Sequence, residues 1–447
     1  MRETPTAVRY RMIALTTLVA VMLYLDRVCL SIVGEQLRPN LGIDETEFAW
    51  LMSSFFWAYA LFQLPAGWLG DRYGPRRMLA IYLFFWSACT GLMGLAMGFF
   101  SLLVLRLGCG MFEAGAYPLA AGIVSRWMPF STRGTASGFV AVGGRLGGAI
   151  APVLTAFLAG GLVSSFGVVG GGLAVPGVWS LDDGWRRPFL LYGAIGMVGA
   201  VIFRVWFRDR PIDHPAVNDA EAALIRGSGD PTRDDGRALS LPPVGQFVRH
   251  RAMWLCSLVQ FLSNFAWVFI ITLFPLYLTQ VFQTPVEQRA WYQSMPLYAG
   301  IFGMLLGGWI SDKTTARYGL RWGRAIPVAG SRVLVGAAYA ACLLLDSPLY
   351  VTIMMCLVAF ATDMGTAPVW AWGQDIGGRY VGAAIGWANM WGNFGAAIAP
   401  LVLLAVKRQF DDPTMGWNAA FLLCAATQVL AAVAALGMDG SRKIVER

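Results

Sequence analysis

Two arginines, Arg27 and Arg106, lie inside long apolar stretches, and each shares its stretch with a carboxylate, Asp26 and Glu113. A charge at bilayer depth costs about 2.5–3.5 kcal/mol on insertion scales, so it faces a partner or a hydrated cavity and marks an ion or substrate path. Guanidinium suits a carboxylate ligand because its planar fork donates two parallel hydrogen bonds and does not deprotonate, which makes lysine a poorer substitute. Tyr24 and Arg27 share one helix face, whereas Asp26 is turned about 100° from Arg27, toward a neighbouring helix. Arg106 and Glu113 stand two turns apart on nearly one face, about 10 Å along the axis, too far for a direct pair unless the side chains bend. The four charges fit either a path for an organic anion or a structural salt-bridge network between two helices.

Proton coupling needs a group whose proton affinity changes during a transport cycle, and histidine is the usual one near neutral pH. The two histidines, His214 and His250, fall in a polar stretch, so the coupling role passes to Asp26 or Glu113. Burial favours a neutral carboxyl and a nearby arginine favours the charged form, so the partner the arginine chooses sets protonation. An anion that captures the arginine then frees the carboxylate to take up a proton. One proton per monoanion is electroneutral; two make uptake voltage-sensitive, by about 2.3 kcal/mol per charge per 100 mV.

These residues need a membrane-spanning framework, and the composition supplies one: 57% of the 447 residues are apolar and 13% charged. Runs of roughly 20 apolar residues, enough to cross about 30 Å of hydrocarbon, can be laid down about twelve times. The expected spans are 12–33, 49–69, 78–97, 99–124, 134–159, 187–207, 252–279, 291–310, 325–345, 348–373, 380–406 and 416–437. The first follows Arg2, Arg9 and Arg11 without a small-residue cleavage site, so it reads as a retained helix on a chain starting at Met1. Cysteines 29, 89, 109, 256, 342, 356 and 424 lie singly in apolar segments, the pattern of packing residues rather than of a disulfide framework or metal site. The net charge of +8 is explained by sidedness, not by nucleic-acid binding. Arg38, Arg186, Arg187, Arg289, Lys407 and Arg408 fall outside and Arg27, Arg106, Arg145 and Arg332 within spans, while the remaining basic residues fall on the side of the termini, which places both ends in the cytoplasm.

The polar stretch 208–251 reads as a cytoplasmic linker between an N-terminal six-helix bundle, 1–207, and a C-terminal one, 252–447. Within it Asn218 and Glu221 have capping-box spacing, which predicts a short surface helix. The glycine-rich segment from Gly160 to Gly184 is longer than an outer loop between spans 5 and 6 requires. Internal repetition supports two halves. Gly67-Trp68-Leu69-Gly70-Asp71 returns as Gly308-Trp309-Ile310-Ser311-Asp312, Gly115-Ala116-Tyr117-Pro118 as Gly365-Thr366-Ala367-Pro368, and Gly144-Arg145-Leu146-Gly147 as Gly392-Asn393-Phe394-Gly395. A substrate would bind between the halves, near the midplane.

The stretch Gly67 to Arg77 resembles the loop 2–3 signature of the major facilitator superfamily. Tyr24-Leu25-Asp26-Arg27, Tyr59 to Pro65, Arg106 with Glu113, and Arg210-Pro211-Ile212-Asp213-His214-Pro215 with Glu221 and Ile225 are similar to the anion:cation symporters. That family includes bacterial hexuronate and aldonate proton symporters and animal carriers of sialic acid or glutamate, and the resemblance covers the whole length. It implies the all-α major facilitator fold, in a bacterial-type inner membrane, and proton-coupled uptake of a small organic anion such as a sugar acid, by a monomer with no cofactor beyond the coupling proton. Trp370 and Asn393 are the preferred substrate contacts of the second half by the same resemblance. Tyr24, Tyr59, Arg27, Arg106 and Arg145 are those of the first, with Tyr59 equally suited to core filling.

Arg145 stands where such symporters commonly carry an uncharged polar residue. It is read as a third anion contact, hinting at a second acidic group on the substrate, or as a structural partner of Glu113. Asp71 with Arg72, Arg76 and Arg77 reads as an inner gate in which the carboxylate pairs with nearby arginines, against the plainer reading of a structural turn. Asp312, with Lys313 and Arg324, is its weaker copy, and Asp375 and Arg379 read as a gate or cap. Gln260, Asn264, Asp363, Thr366, Trp372, Gln374 and Asn389 are further polar candidates for substrate hydroxyls. No nucleophile–base set points to an enzyme. A sugar-phosphate antiporter and a membrane nutrient sensor remain the competing classes.

Overall fold

The computed structural model describes residues 4–159, 184–226, 241 and 244–444. The glycine-rich 160–183 and linker residues 227–240 and 242–243 lie outside the described residues. The described residues are almost all helical and contain no strand.

The spans expected from apolar runs are present. Spans 1, 2 and 3 are Val8–Leu41, Glu45–Tyr73 and Pro75–Met93. Spans 5, 6, 11 and 12 are Arg133–Leu158, Arg186–Trp206, Val381–Lys407 and Pro413–Leu436. Span 1 has 34 residues and is therefore about 50 Å long, so it protrudes from the hydrocarbon. Apolar patterning marks only the part inside lipid, which is why 12–33 falls short of the observed end at Leu41. Turn chemistry fixes several ends: Asp44 and Glu47 close a reciprocal capping box on span 2, and the Asp412 carboxylate caps span 12 behind Pro413.

Span 4 is broken into Phe99–Glu113 and Ala116–Trp127, and span 10 into Pro348–Met364 and Thr366–Ile376. The breaks fall at Gly115 and Gly365, the glycines of one repeated motif. Span 7 runs Arg251–Val268, then a wide π turn Phe269–Leu273, then Phe274–Phe282. Spans 8 and 9 share the helical run Val286–Ala341, interrupted only at Gly319, whose φ of 72° is open to glycine. The chain doubles back there, because Thr314 Oγ1 donates to the Gly323 carbonyl at 2.7 Å and Arg324 Nη1 to Ser311 Oγ at 2.8 Å.

One apolar core is built from the first six spans and another from spans 7 to 12. A third draws on both sets, joining Val140 and Ala120 to Met304, Trp370 and Trp387. Glycines bring the two sets together. A Cβ at Gly67 of span 2 would overlap the Gly382 carbonyl of span 11, and one at Gly308 of span 8 would overlap the Gly134 carbonyl of span 5. Gly67 and Gly308 are equivalent positions of the repeated motif.

The short helix expected in the linker is Asp219–Arg226. Asn218 Oδ1 caps it by accepting the Glu221 N–H at 2.9 Å. The reciprocal half of the box has been given to another task. The Glu221 carboxylate accepts from the Thr6 hydroxyl, from the Val8 and Arg9 N–H groups at 3.2 and 3.1 Å, and from Arg9 Nη1 at 2.9 Å, so it seats the start of span 1. The amino-terminal segment and the linker therefore share one end of the molecule, called here the linker end. Burial works against the Glu221 charge, but these hydrogen bonds outweigh it and hold the carboxyl below its ordinary range. A depressed carboxyl contributes stability that is present above the unfolded value and is lost as pH falls through the folded one. Glu221→Gln is expected to cost about 1–3 kcal/mol at pH 7. In thermal melts the gap to wild type should close below about pH 4, and an unchanged melt at pH 7 would refute the seating role.

Candidate functional site

Spans 1 and 4 meet at an ion pair. Both Arg27 Nη2 and Nε donate to Glu113 Oε2, at 2.9 and 3.2 Å. The Glu113 side chain is 1% exposed and that of Arg27 16%, so the cation is the more accessible of the two. Three rings surround the guanidinium, with centroids 5.1 Å (Tyr24), 4.9 Å (Phe55) and 4.6 Å (Tyr59) from its carbon. Tyr59 is buried and stacked on Phe55. Arg106 is buried and also lies 4.9 Å from the Phe55 ring. Its Nη2 approaches Met52 Sδ at 4.0 Å, and its Nε has no partner among the described residues. Glu113 thus takes Arg27, as the two-turn separation from Arg106 requires.

Asp26 faces the other way, as its angular offset from Arg27 predicts. Its Oδ2 accepts from Trp86 Nε1 of span 3 at 2.9 Å, in a buried setting.

A second ion pair crosses between spans 5 and 10. Arg145 Nη2 and Nε donate to Asp363 Oδ1 and Oδ2 at 2.7 and 2.9 Å, a bidentate fork, with Trp267 4.3 Å from the guanidinium carbon. This corrects the structural alternative in which Arg145 would pair with Glu113. Asp363 was legible only as one polar residue among several. It is nevertheless the one carboxylate deep in the second-half spans, and a buried arginine with no acid on its own helix needs such a partner. Arg332 of span 9 joins the group and donates Nη2 to the Thr362 carbonyl at 3.1 Å.

Trp370 and Asn393 have separate surroundings. Trp370 is buried with its ring 5.0 Å from that of Tyr117, across the two sets of spans. Asn393 Nδ2 returns to the Asn389 carbonyl at 2.8 Å, and Gln260 Nε2 donates to Asn389 Oδ1 at 3.0 Å. Gln374 Nε2 reaches Ser137 Oγ at 2.9 Å.

At the linker end the two copies of the repeated aspartate act alike. Asp71 accepts the N–H groups of Gly382 and Ala383 at 2.9 and 2.8 Å, capping span 11. Asp312 accepts those of Gly134 and Thr135 at 2.9 and 2.8 Å, capping span 5, and also binds Arg324 Nη1 at 3.1 Å. Each carboxylate meets the positive end of a helix from the opposite half. This cap was not part of the expected pairing of Asp71 with loop arginines. Arg76 turns instead to Asp209 and the Arg204 carbonyl, Arg72 lies over Trp68 and Tyr73, and Arg77 is exposed. Asp375 bridges Arg324 at 2.9 Å and Arg133 at 3.4 Å, adding a third cross-half link, while Arg379 is partly buried just beyond span 10.

Buried paired arginines between two six-span sets, closed at one end by duplicated caps, are features of a carrier. Residues 16–400 match the sequence profile of the Major Facilitator Superfamily. The chain belongs to this family. It is similar to the probable galactarate/D-glucarate transporter of Bacillus subtilis, 30% identical over 98% of this chain and 94% of that protein. It is also similar to the probable sulfoacetate transporter of Cupriavidus necator, 28% identical over 96% and 93%. Among solved structures, the Escherichia coli fucose:proton symporter superposes with a TM-score of 0.69 at 16% identity, over 96% of this chain and 99% of that one. The human organic anion transporter MFSD10 gives 0.69 at 17%, over 96% and 100%. This major facilitator is a multi-pass membrane transporter with the twelve-helix fold.

Its caps generate a prediction. Asp71→Ala and Asp312→Ala each remove a cap worth about 1 kcal/mol, and distant sites add. Spin labels on the exposed Arg77 and Arg317 positions should move apart in the single variants and further in the double one. Unchanged distance distributions in the double variant would exclude a gating role.

Proposed function

We propose that this transporter takes up a small organic anion bearing a carboxylate, a sugar acid above all, together with protons, by alternating access. The observation that carries this reading is the Arg27–Glu113 pair, in which the cation is more accessible than its carboxylate partner. A substrate carboxylate approaching from the crevice competes with Glu113 for the same fork. Once Glu113 loses Arg27, a buried negative charge remains without its counterion, and taking up a proton is the least costly relief. Substrate and proton therefore arrive together, and when the anion leaves, Arg27 returns and expels the proton.

Asp26, held by the Trp86 indole, is the second proton site in this scheme, and two protons per monoanion would make uptake respond to membrane voltage. Arg106 supplies positive potential, while Tyr24, Tyr59, Trp370 and Asn393 supply surface and hydroxyl contacts. The Asp71, Asp312 and Asp375 links hold the linker end shut until the halves rock. The carrier sits in a bacterial-type inner membrane as a monomer with its termini in the cytoplasm. The transporters similar to it are named for galactarate, D-glucarate, sulfoacetate and hexuronate, all acids without phosphate, which supports a carboxylate carrier over a sugar-phosphate antiporter.

The test is uptake into proteoliposomes under an imposed pH gradient, with hexuronates, aldonates, aldarates and sugar phosphates. Arg27→Lys should lower affinity for the acids at least about tenfold, since lysine cannot donate the fork. Glu113→Gln should keep counterflow exchange while abolishing accumulation. Accumulation that persists in Glu113→Gln overturns the coupling assignment, and uptake of sugar phosphates alone, driven by internal phosphate, overturns the substrate class.

A further inference from the structure

The Arg145 group, which joins spans 5 and 10 of opposite halves, carries more base than acid. Around Arg145, two arginines, Arg145 and Arg332, face the single carboxylate Asp363. A buried cluster with an excess cation is costly until an anion completes it. We infer that Arg145, Asp363 and Arg332 form an exchangeable subsite for the second acidic group of a two-acid substrate: the incoming group takes Arg145, and Asp363 passes to Arg332. The inference rests on the carboxylate-carrier reading and specifies which acids it favours.

Arg332 is built as the waiting partner. It is 2% exposed, yet its Nε and Nη1 have no partner among the described residues, and Nη2 alone donates, to Thr362, the residue before Asp363. The Asp363 carboxylate is within its electrostatic range. A guanidinium with two idle buried donors beside a carboxylate committed elsewhere is half of an exchange. Exposure points the same way, since the Arg145 side chain is 14% exposed and that of Asp363 is 2%. A ligand in the crevice reaches the cation first. Two glycines make room for the group, because a Cβ at Gly300 would overlap Asp363 Oδ2 and one at Gly365 would overlap Arg332 Nη2.

One ring connects this subsite to the first. Tyr24 lies beside the Arg27 guanidinium and packs against Gly144 and Gly147, which flank Arg145 on span 5. A small molecule resting on Tyr24 can therefore present one acid group to each arginine. Charge balance separates their roles. Binding at Arg27 displaces a carboxylate that, in the coupling scheme above, takes up a proton rather than a second fork. Binding at Arg145 displaces a carboxylate that has one, so the second acid group enters without a proton of its own.

Calorimetric binding to the purified full chain, with D-glucarate as diacid and D-gluconate as monoacid of equal carbon number, tests this. Wild type should prefer the diacid by about tenfold or more, and Arg145→Gln should cut that ratio about tenfold. Arg332→Gln should weaken diacid binding several-fold while moving monoacid binding less than about twofold, because Asp363 then has nowhere to go. Adding Asp363→Asn to Arg332→Gln should restore the diacid, and Arg332→Lys, which keeps the charge, should retain the preference. A wild type that binds both acids equally, or an Arg332→Gln variant that loses neither, overturns the exchange and leaves the carrier reading intact. A wild type that binds neither acid sinks the carrier reading itself.

Discussion

A guanidinium taken out of water gains most from an anion, and this constraint shapes the two buried ion pairs. Arg27 holds Glu113 and Arg145 holds Asp363, so each of these two cations is satisfied by a carboxylate. The rings of Tyr24, Phe55 and Tyr59 add a surface attractive to the cation.

Closure at the linker end draws on a weaker interaction. Asp71 and Asp312 cap helices of the opposite halves through pairs of backbone N–H groups, each worth on the order of 1 kcal/mol. Carbonyls packed against Gly67 and Gly308 allow the helices close enough for those caps to form. Because both caps come from one duplicated motif, each carboxylate meets a pair of backbone N–H groups on the opposite half, to which Asp312 adds Arg324. The buried bridge of Asp375 to Arg324 and Arg133 adds a stronger tie between the halves at the same end.

Much of this was legible in the sequence. The spans follow from runs of apolar residues, the doubled architecture from the repeated glycine–aspartate motif, and the divergent directions of Asp26 and Arg27 from helical periodicity alone. What could not be read were partners distant along the chain. Periodicity gives the face a side chain occupies but not which helix lies opposite, so Glu113 stood as the structural alternative for Arg145 when its partner is Asp363, and the contact of Asp71 with the start of span 11 was not anticipated. Arg332 was noted only as a buried charge, because its significance depends on the Thr362 carbonyl and Asp363 being nearby. The ends of spans 1 and 9 were missed because helices continue past the hydrocarbon, where apolar patterning stops.

Phe55 carries a consequence of its own. Its ring is shared by Arg27 and Arg106, each with its guanidinium carbon 4.9 Å from the centroid. A quadrupole divided between two cations holds each less tightly than it would hold one, so any departure of Arg27 toward a ligand strengthens the grip on Arg106. The two cations are thereby coupled through the redistribution of a single aromatic cloud.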